Sequence, residues 1–495
     1  MPSPTDVATF YVFDQHNSTR YRPAFRFTPS QGLSVALSQY APGKEVWVAS
    51  KRFTSGAIYS PMRSDFLQSW ELRRFYYECP RCHYAKTTER AESAKEKSLD
   101  CPACGELGAF SQERKWIRPP GFAHPVFVSE DTSPDDQPAR SYATRAKLTA
   151  PTPLDEKLWT PLNERVRSHY LRQHLLVTNR GPREEGYNYC TICGLISPSI
   201  GTQSIDAAGS HKKPYPDERE SSCHGGGTAR GIVLGTDFIT DVLLISLRAH
   251  APISLRPGLL STEIAMRTLC EALSKAACLS LDLEAGEIQA EFRPALNGKG
   301  SEGLEVEIYL YDTLPGGAGF VRQAGELELR LIEKAQTILN DCPENCDSSC
   351  YRCLRSYKNK FDHHLLDRHV AGSLCRFLLT GELPTITQKR AERAAELLFN
   401  DLERHDLGET AIARNGSASA PGVGEVIAPI LVSRGETDVR ILAITAALTP
   451  QYSPDAQLRN VANSGKPPVT FIDELQIRRN LPRTTSDLIR TFGYL

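Results

Sequence analysis

Four cysteines fall within twelve residues in the stretch CPENCDSSCYRC, at Cys342, Cys346, Cys350 and Cys353. A segment so rich in thiols has few apolar side chains to bury, so something other than a hydrophobic core must hold its shape. The pattern recurs along the chain. Fourteen cysteines occur in 495 residues, and further C-x2-C pairs stand at Cys79/Cys82, Cys101/Cys104 and Cys190/Cys193. That spacing lets two thiolates reach one ion from a single tight turn. The N-terminal MPSPTDVATFYVFDQ has neither a basic leader nor an apolar stretch, and no apolar run approaches the roughly 20 residues of a membrane helix. The chain therefore reads as cytoplasmic with no membrane partner. A reducing compartment disfavours structural disulfides, which makes zinc the first ligand to consider.

Cys79-x2-Cys82-x18-Cys101-x2-Cys104 matches a zinc ribbon, two knuckles completing one tetrahedron. Four thiolates leave no open coordination position, so the site is structural. Cys190 and Cys193 need two more donors, which the downstream loop supplies as Cys223 with either His211 or His224. His211 is preferred, because its spacing lets the loop wrap an ion without strain. The Cys342–Cys353 array is tighter than a ribbon; it suits zinc or an iron–sulfur cluster, and a redox pair would leave Cys342 and Cys346 unexplained. The expectation is Zn2+ at three sites.

The expected fold class is mixed α/β (α+β), multi-domain, with an N-terminal zinc ribbon and further cysteine-rich zinc modules. Residues 1–75 read as mostly β, with KEVWVAS the clearest strand, and 76–128 as the ribbon module. Residues 129–185 read as a linker, SEDTSPDDQPARSY, followed by a helix over LNERVRSHYLRQHLLVTNRG. In 186–380, IVLGTDFITDVLLISL predicts a pair of strands. STEIAMRTLCEALSKAACLSL predicts a helix capped by Ser261 or Thr262, with Cys270 and Cys278 as buried small hydrophobes. EIQAEFRPAL and GLEVEIYLYDTL predict strands joined by a hairpin-like turn. FVRQAGELELRLIEKAQTIL predicts one long helix, and HHLLDRHVAGSLCRFLL another, with Cys375 buried. The second helix would turn His363 towards the core, bonded to a carbonyl or a thiolate. Residues 381–411 are expected as a helical extension, 412–425 as a flexible linker and 426–495 as a small α/β unit.

Net charge is −1, so any nucleic-acid surface has to be local. The best candidate is CYRCLRSYKNK, where Arg352, Arg355, Lys358 and Lys360 alternate with Tyr351 and Tyr357 and no acid intervenes. Such groups can pair with phosphates and stack on bases, although charge runs commonly coat solvated faces. Arg165, Arg167 and Arg172 form a second, weaker candidate. LPGGAGF could present backbone N–H groups to an anion, but a tight strand-to-helix turn needs the same glycines. No G-x4-G-K-[ST] and no DEAH-like box occur, so the chain has no P-loop means of hydrolysing ATP alone.

LYDTLPGGAGF followed by CxxxCxxSCYRCLRSYKNKFDHHLLDR resembles the MrfA-type zinc-binding (MZB) domain family, a module at the C-terminal end of certain superfamily 2 DNA-repair helicases. The same module resembles part of the DISARM phage-defence subunit DrmB, which has no motor of its own. With YCTICG and LGTDFITDVLLI upstream, the resemblance covers about residues 186–380. It implies that Cys342, Cys346, Cys350 and Cys353 hold one zinc. It also implies a non-catalytic partner of a helicase-like motor subunit that engages DNA, in phage defence or in repair. A zinc-dependent hydrolase or nuclease, and a scaffold that touches only protein, are the alternatives.

Overall fold

The computed structural model describes residues 7–19, 22–91, 99–129, 143–199, 210–217, 220–435 and 438–492. The chain divides into two compact units and crosses between them several times. The first comprises Met1–Thr152, Tyr170–Val242 and Tyr311–Phe320; the second comprises Pro153–His169, Leu243–Leu310 and Val321–Leu495. Most of the expected linker SEDTSPDDQPARSY lies outside the described residues.

In the first unit, the Val7–Phe13 strand pairs antiparallel with Phe25–Phe27 and Ser30–Gly32, and parallel with Phe122–Ala123. Its alternation buries Phe10 and Val12. Farther along, Arg74–Glu78 pairs with Ala85–Thr88 and Arg114–Ile117, and the latter runs parallel to Val233 and Leu234. Trp116, Tyr76, Ala85, Leu176 and Val233 form the buried cluster under these strands.

The expected strand pair IVLGTDFITDVLLISL is a single strand, Thr228–Arg248. Gly235 lies within it where another group approaches closely: a Cβ there would lie 2.0 Å from the Trp116 indole nitrogen. LNERVRSHYLRQHLLVTNRG is also a strand, Val166–Asn179, where a helix was expected. Burial alternates through its middle and is continuous at both ends, the signature of a strand between long-range partners. Its arginines serve the fold. Arg167 is buried against Glu305 at 2.7 Å, Arg172 donates to the Gly316 carbonyl at 2.8 Å, and neighbouring Arg165 donates to the Leu378 carbonyl at 3.2 Å.

In the second unit the helices Leu260–Ser280, Leu329–Asn340 and Arg368–Thr380 pack on one another. The first begins at Leu260 and has no side-chain cap, so neither Ser261 nor Thr262 plays the expected role. The paired strands Ile288–Pro294 and Glu305–Asp312 follow it, and the second is buried along its whole length. Two expected helices are each divided. Phe320–Gly325 is separated from Leu329–Asn340 at Glu328, whose φ of 52° no helix continues through. Lys360–Leu365 is a 3-10 turn, and a helix restarts at Arg368 with Asp367 as its N-cap.

Beyond the Gln388–Leu402 helix lies a four-stranded sheet in the order Thr410–Ala420, Gly424–Arg434, Asp438–Thr445, Val469–Asp473. The first three strands are antiparallel, and the fourth joins in parallel after the Ala456–Ser464 helix. Residues 412–425, expected as a linker, are most of its first hairpin. Small residues gave them the composition of a linker, yet Ala418 and Ala420 are buried. Gly416 lies over Leu431, where a Cβ would come within 2.7 Å of that side chain.

The Glu474–Phe492 helix closes the unit and starts from Asp473, whose carboxylate accepts the Gln476 N–H at 2.9 Å. Burial raises the Asp473 carboxyl to about 6. Folding therefore favours its protonated form, and that contribution fades as pH rises from about 4 through 6. Asp473→Asn keeps the cap and is expected to stabilise the chain at pH 7.5 by up to about 3 kcal/mol. The gain should vanish near pH 4, as urea denaturation at the two pH values would read; an equal gain at both would refute the burial account. No helix among the described residues is long and apolar enough to cross a membrane.

Candidate metal centres and the basic rim

Three groups of four donors converge: Cys79, Cys82, Cys101 and Cys104; Cys190, Cys193, His211 and Cys223; and Cys342, Cys346, Cys350 and Cys353. Within each group the donor atoms lie within 4.8 Å of one another. The geometry suits zinc, since Zn–S bonds of about 2.3 Å place tetrahedral sulfurs about 3.8 Å apart. Sγ separations are 3.5 Å for Cys79–Cys104, 3.6 Å for Cys82–Cys101 and 3.9 Å for Cys190–Cys223. In the third group they run from 3.5 to 3.7 Å. These distances are far beyond a disulfide bond of about 2.05 Å.

The first two groups are built from knuckles of one kind. The N–H of the residue after the second cysteine donates to the carbonyl of the first: His83 to Cys79 at 3.0 Å, Gly105 to Cys101 at 2.9 Å, Gly194 to Cys190 at 2.9 Å. All three of those residues have positive φ. Gly194 has no alternative, because a Cβ would come within 2.2 Å of the Ile58 carbonyl oxygen. The short strands His211–Lys212 and Ser222–Cys223 pair and deliver the remaining donors of the second group. His211 Nε2 lies 3.2 Å from Cys193 Sγ. His224 is instead exposed and bonded to Glu220.

The third group hangs from a loop fastened by distant cations. Arg368, buried, donates to the carbonyls of Cys346 at 2.7 Å, Leu339 at 3.1 Å and Asn340 at 3.2 Å, and to Asn345 Oδ1 at 3.0 Å. Two of these carbonyls close the Leu329–Asn340 helix, where a cation is favoured by the helix dipole. Lys275 donates to the carbonyl of Cys353 at 2.6 Å. A zinc held by four thiolates would carry net negative charge, and these two cations lie close enough to offset it. The Cys342 thiol is drawn down to about 6: burial opposes ionisation, but the Cys346 N–H and the Cys350 thiol outweigh it. In the second group Cys193 pulls the Cys190 thiol down to about 5. The neighbouring thiols move the other way, Cys346 and Cys193 being pushed up, so one thiolate forms readily in each group and the others would lose their protons on binding metal.

The basic residues after the last cysteine divide. Arg355 donates to Ser349 Oγ at 2.9 Å and Lys358 to the Ala285 carbonyl at 2.7 Å, so both are tied to the protein. Arg352 is exposed, with Glu344 3.8 Å away. Lys360 lies over the ring of Tyr357 at 4.1 Å and that of Phe361 at 5.0 Å. Tyr351 and Tyr357 are 69% and 78% exposed, so this rim sets solvent-exposed aromatic rings beside cations. His363 Nε2 donates to the Ser356 carbonyl, 3.1 Å away, and the side chain is half-buried, not in the core.

The glycine turn is already filled. Ala318 and Phe320 donate their N–H groups to Asp312 Oδ2 at 2.7 and 3.1 Å, and Gly319 donates to Asp241 Oδ2 at 3.2 Å. Gly317, with φ of 76°, lies where a Cβ would come within 2.2 Å of the Asp241 carboxylate. The turn binds the chain's own carboxylates. Sequence reasoning missed Asp241 and Lys275, since no local spacing marks either of them.

Comparison with known proteins places the third group. The Druantia protein DruE of Escherichia coli (strain UMEA 4076-1) is 29% identical over 374 residues, covering 72% of this chain and 20% of that protein. The chain thus spans about a fifth of the length of that curated relative. The crystal structure of the DUF1998 helicase MrfA bound to DNA aligns at 10% identity with a TM-score of 0.32, covering 71% of this chain and 32% of that one. The family match is narrower than the stretch 186–380 drawn from sequence, and it runs from the Leu260–Ser280 helix to just past Cys353. Residues 269–354, which include all four cysteines of the third group, match the family model of the MrfA Zn-binding domain, MZB.

Proposed function

We propose that this chain is the zinc-braced, non-catalytic component of a helicase-like motor system, engaging DNA and assembling the complex in phage defence. The observation that carries the DNA reading is the rim beside the third metal group. Arg352 follows the exposed Tyr351 in sequence, and Lys360 lies over the exposed rings of Tyr357 and Phe361, on a loop that zinc and Arg368 would hold in place. Fixed cations lose less side-chain entropy on binding than free ones, and exposed rings stack on unpaired bases. Similarity to a Druantia protein supports defence over repair, and it points to Druantia where the sequence motifs had suggested DISARM. Four donors in each metal group favour closed structural sites over a zinc hydrolase, which needs an open position. The missing phosphate cradle, together with the self-filled glycine turn, supports ATP hydrolysis by the motor and not by this chain.

Arg352→Glu/Lys360→Glu is expected to weaken binding of single-stranded DNA at least tenfold at low salt. The slope of log K against log[salt] should become shallower by about 0.7 per lost phosphate contact. Fluorescence anisotropy at several salt concentrations measures both quantities, with zinc content checked in parallel. Unchanged affinity and slope with zinc intact would leave the scaffold reading in its place.

A further inference from the structure

A second basic feature lies away from the rim. A cavity of about 400 Å³ opens between the Gln388–Leu402 helix, the start of the Glu474–Phe492 helix, and residues Asp347 and Ser348 of the third metal loop. Arg390, Arg393, Arg478 and Arg479 line it, facing two carboxylates, Glu474 and Asp347. From these residues we infer that the cavity is a binding site for the phosphate of a nucleotide, carried either free or within a strand.

The charges are arranged for this. Glu474 is buried and holds Arg390 Nη2 at 3.0 Å and Arg478 Nε at 2.5 Å, while buried Asp367 holds Arg478 Nη2 at 2.9 Å. Those two guanidiniums are therefore fixed and largely neutralised. Arg393 and Arg479 are exposed at the mouth; Arg479 donates to the Leu366 carbonyl at 3.3 Å, and Arg393 makes no ion pair among the described residues. Asp347 is the other carboxylate of the lining, so four arginines outnumber two acids in a concave site, where low-dielectric walls strengthen attraction for an anion. Planar guanidinium forks match phosphate oxygens. Leu397 and Leu481 add an apolar wall suited to a sugar or base, and the volume lies within the usual range of about 300–1,000 Å³ for ligand pockets. One wall belongs to the loop between Cys346 and Cys350, so the cavity's shape depends on the third metal group.

The strand form of this proposal rests on the DNA reading above; the free-nucleotide form does not. The test uses the full chain with zinc bound. Isothermal titration measures deoxythymidine monophosphate and inorganic phosphate, and anisotropy measures a short labelled oligothymidylate. Arg393→Ala/Arg479→Ala is expected to weaken binding at least tenfold and, for the oligonucleotide, to make the salt slope shallower by about 1.4. Arg393 makes no hydrogen bond or ion pair among the described residues, so Arg393→Ala alone should keep the fold and show part of the loss. Loss for the mononucleotide as well as the strand identifies free nucleotide as sufficient; loss for the strand alone identifies a phosphodiester. Wild-type protein that binds neither probe, or variants that bind both normally, would overturn the site. If Arg352→Glu/Lys360→Glu binds the strand normally while the cavity variant does not, the cavity stands and the rim falls.

Discussion

Cys350→Ser is expected to cost the chain one bound zinc and the order of the segment from Cys342 to Arg368. Cys350 does more than supply a donor. Its thiol lies 3.5 Å from Cys342 and 3.7 Å from Cys353, its N–H donates to Cys353 Sγ, and its carbonyl accepts from Leu354 and Arg355. Structural zinc in small modules is worth roughly 10–16 kcal/mol of apparent binding free energy, as much as the whole net stability of a domain, roughly 5–15 kcal/mol. Elemental analysis should fall from three zinc ions per chain to two, and limited proteolysis should open new sites within the loop. A variant that keeps three zinc ions would remove Cys350 from the ligand set. Stoichiometric iron in the wild type would replace zinc by an iron–sulfur cluster.

Arg368→Ala is expected to destabilise the second unit by about 3–5 kcal/mol and to speed release of zinc from the third group. The substitution strands acceptors on Leu339, Asn340, Asn345 and Cys346, in a place where water replaces them poorly. Arg368→Lys should recover little, because an ammonium on a flexible stem cannot reach separated acceptors as a planar fork does. Urea denaturation and chromogenic-chelator kinetics measure the two effects. An alanine variant with a wild-type midpoint and zinc release rate would show that the loop holds without this arginine.

The parts of this molecule that were legible in its sequence are the parts governed by short separations. Knuckle geometry needs two cysteines at a fixed local spacing and a residue able to take positive φ, so the donor groups could be read from residue order. Choosing His211 over His224 was harder, because both lie in one loop and only strand pairing with Ser222–Cys223 decides between them. The arginine-bearing strand Val166–Asn179 read as a helix because its apolar residues also fit helical spacing. What made it a strand was its long-range pairing, with Thr160–Pro161 and Lys147–Leu148, which local pattern does not carry. Residues 412–425 failed for another reason: Gly, Ala and Ser mean flexibility in an exposed chain but close fit under a neighbour such as Leu431. Lys275 reaches the third loop from a distant part of the sequence, beyond any motif, and Arg368 closes the LLDR stretch without its spacing revealing which carbonyls it holds.

The filled glycine turn has a consequence for signalling. In nucleotide-driven machines a ring of backbone amides acts as a receptor, and its geometry changes when a phosphate arrives or leaves. Here Asp312 and Asp241 are permanent tenants, attached to the same chain and always present at the same effective concentration. Such a turn has no off state that a metabolite could create, so it behaves as a welded joint between strand and helix and not as a sensor.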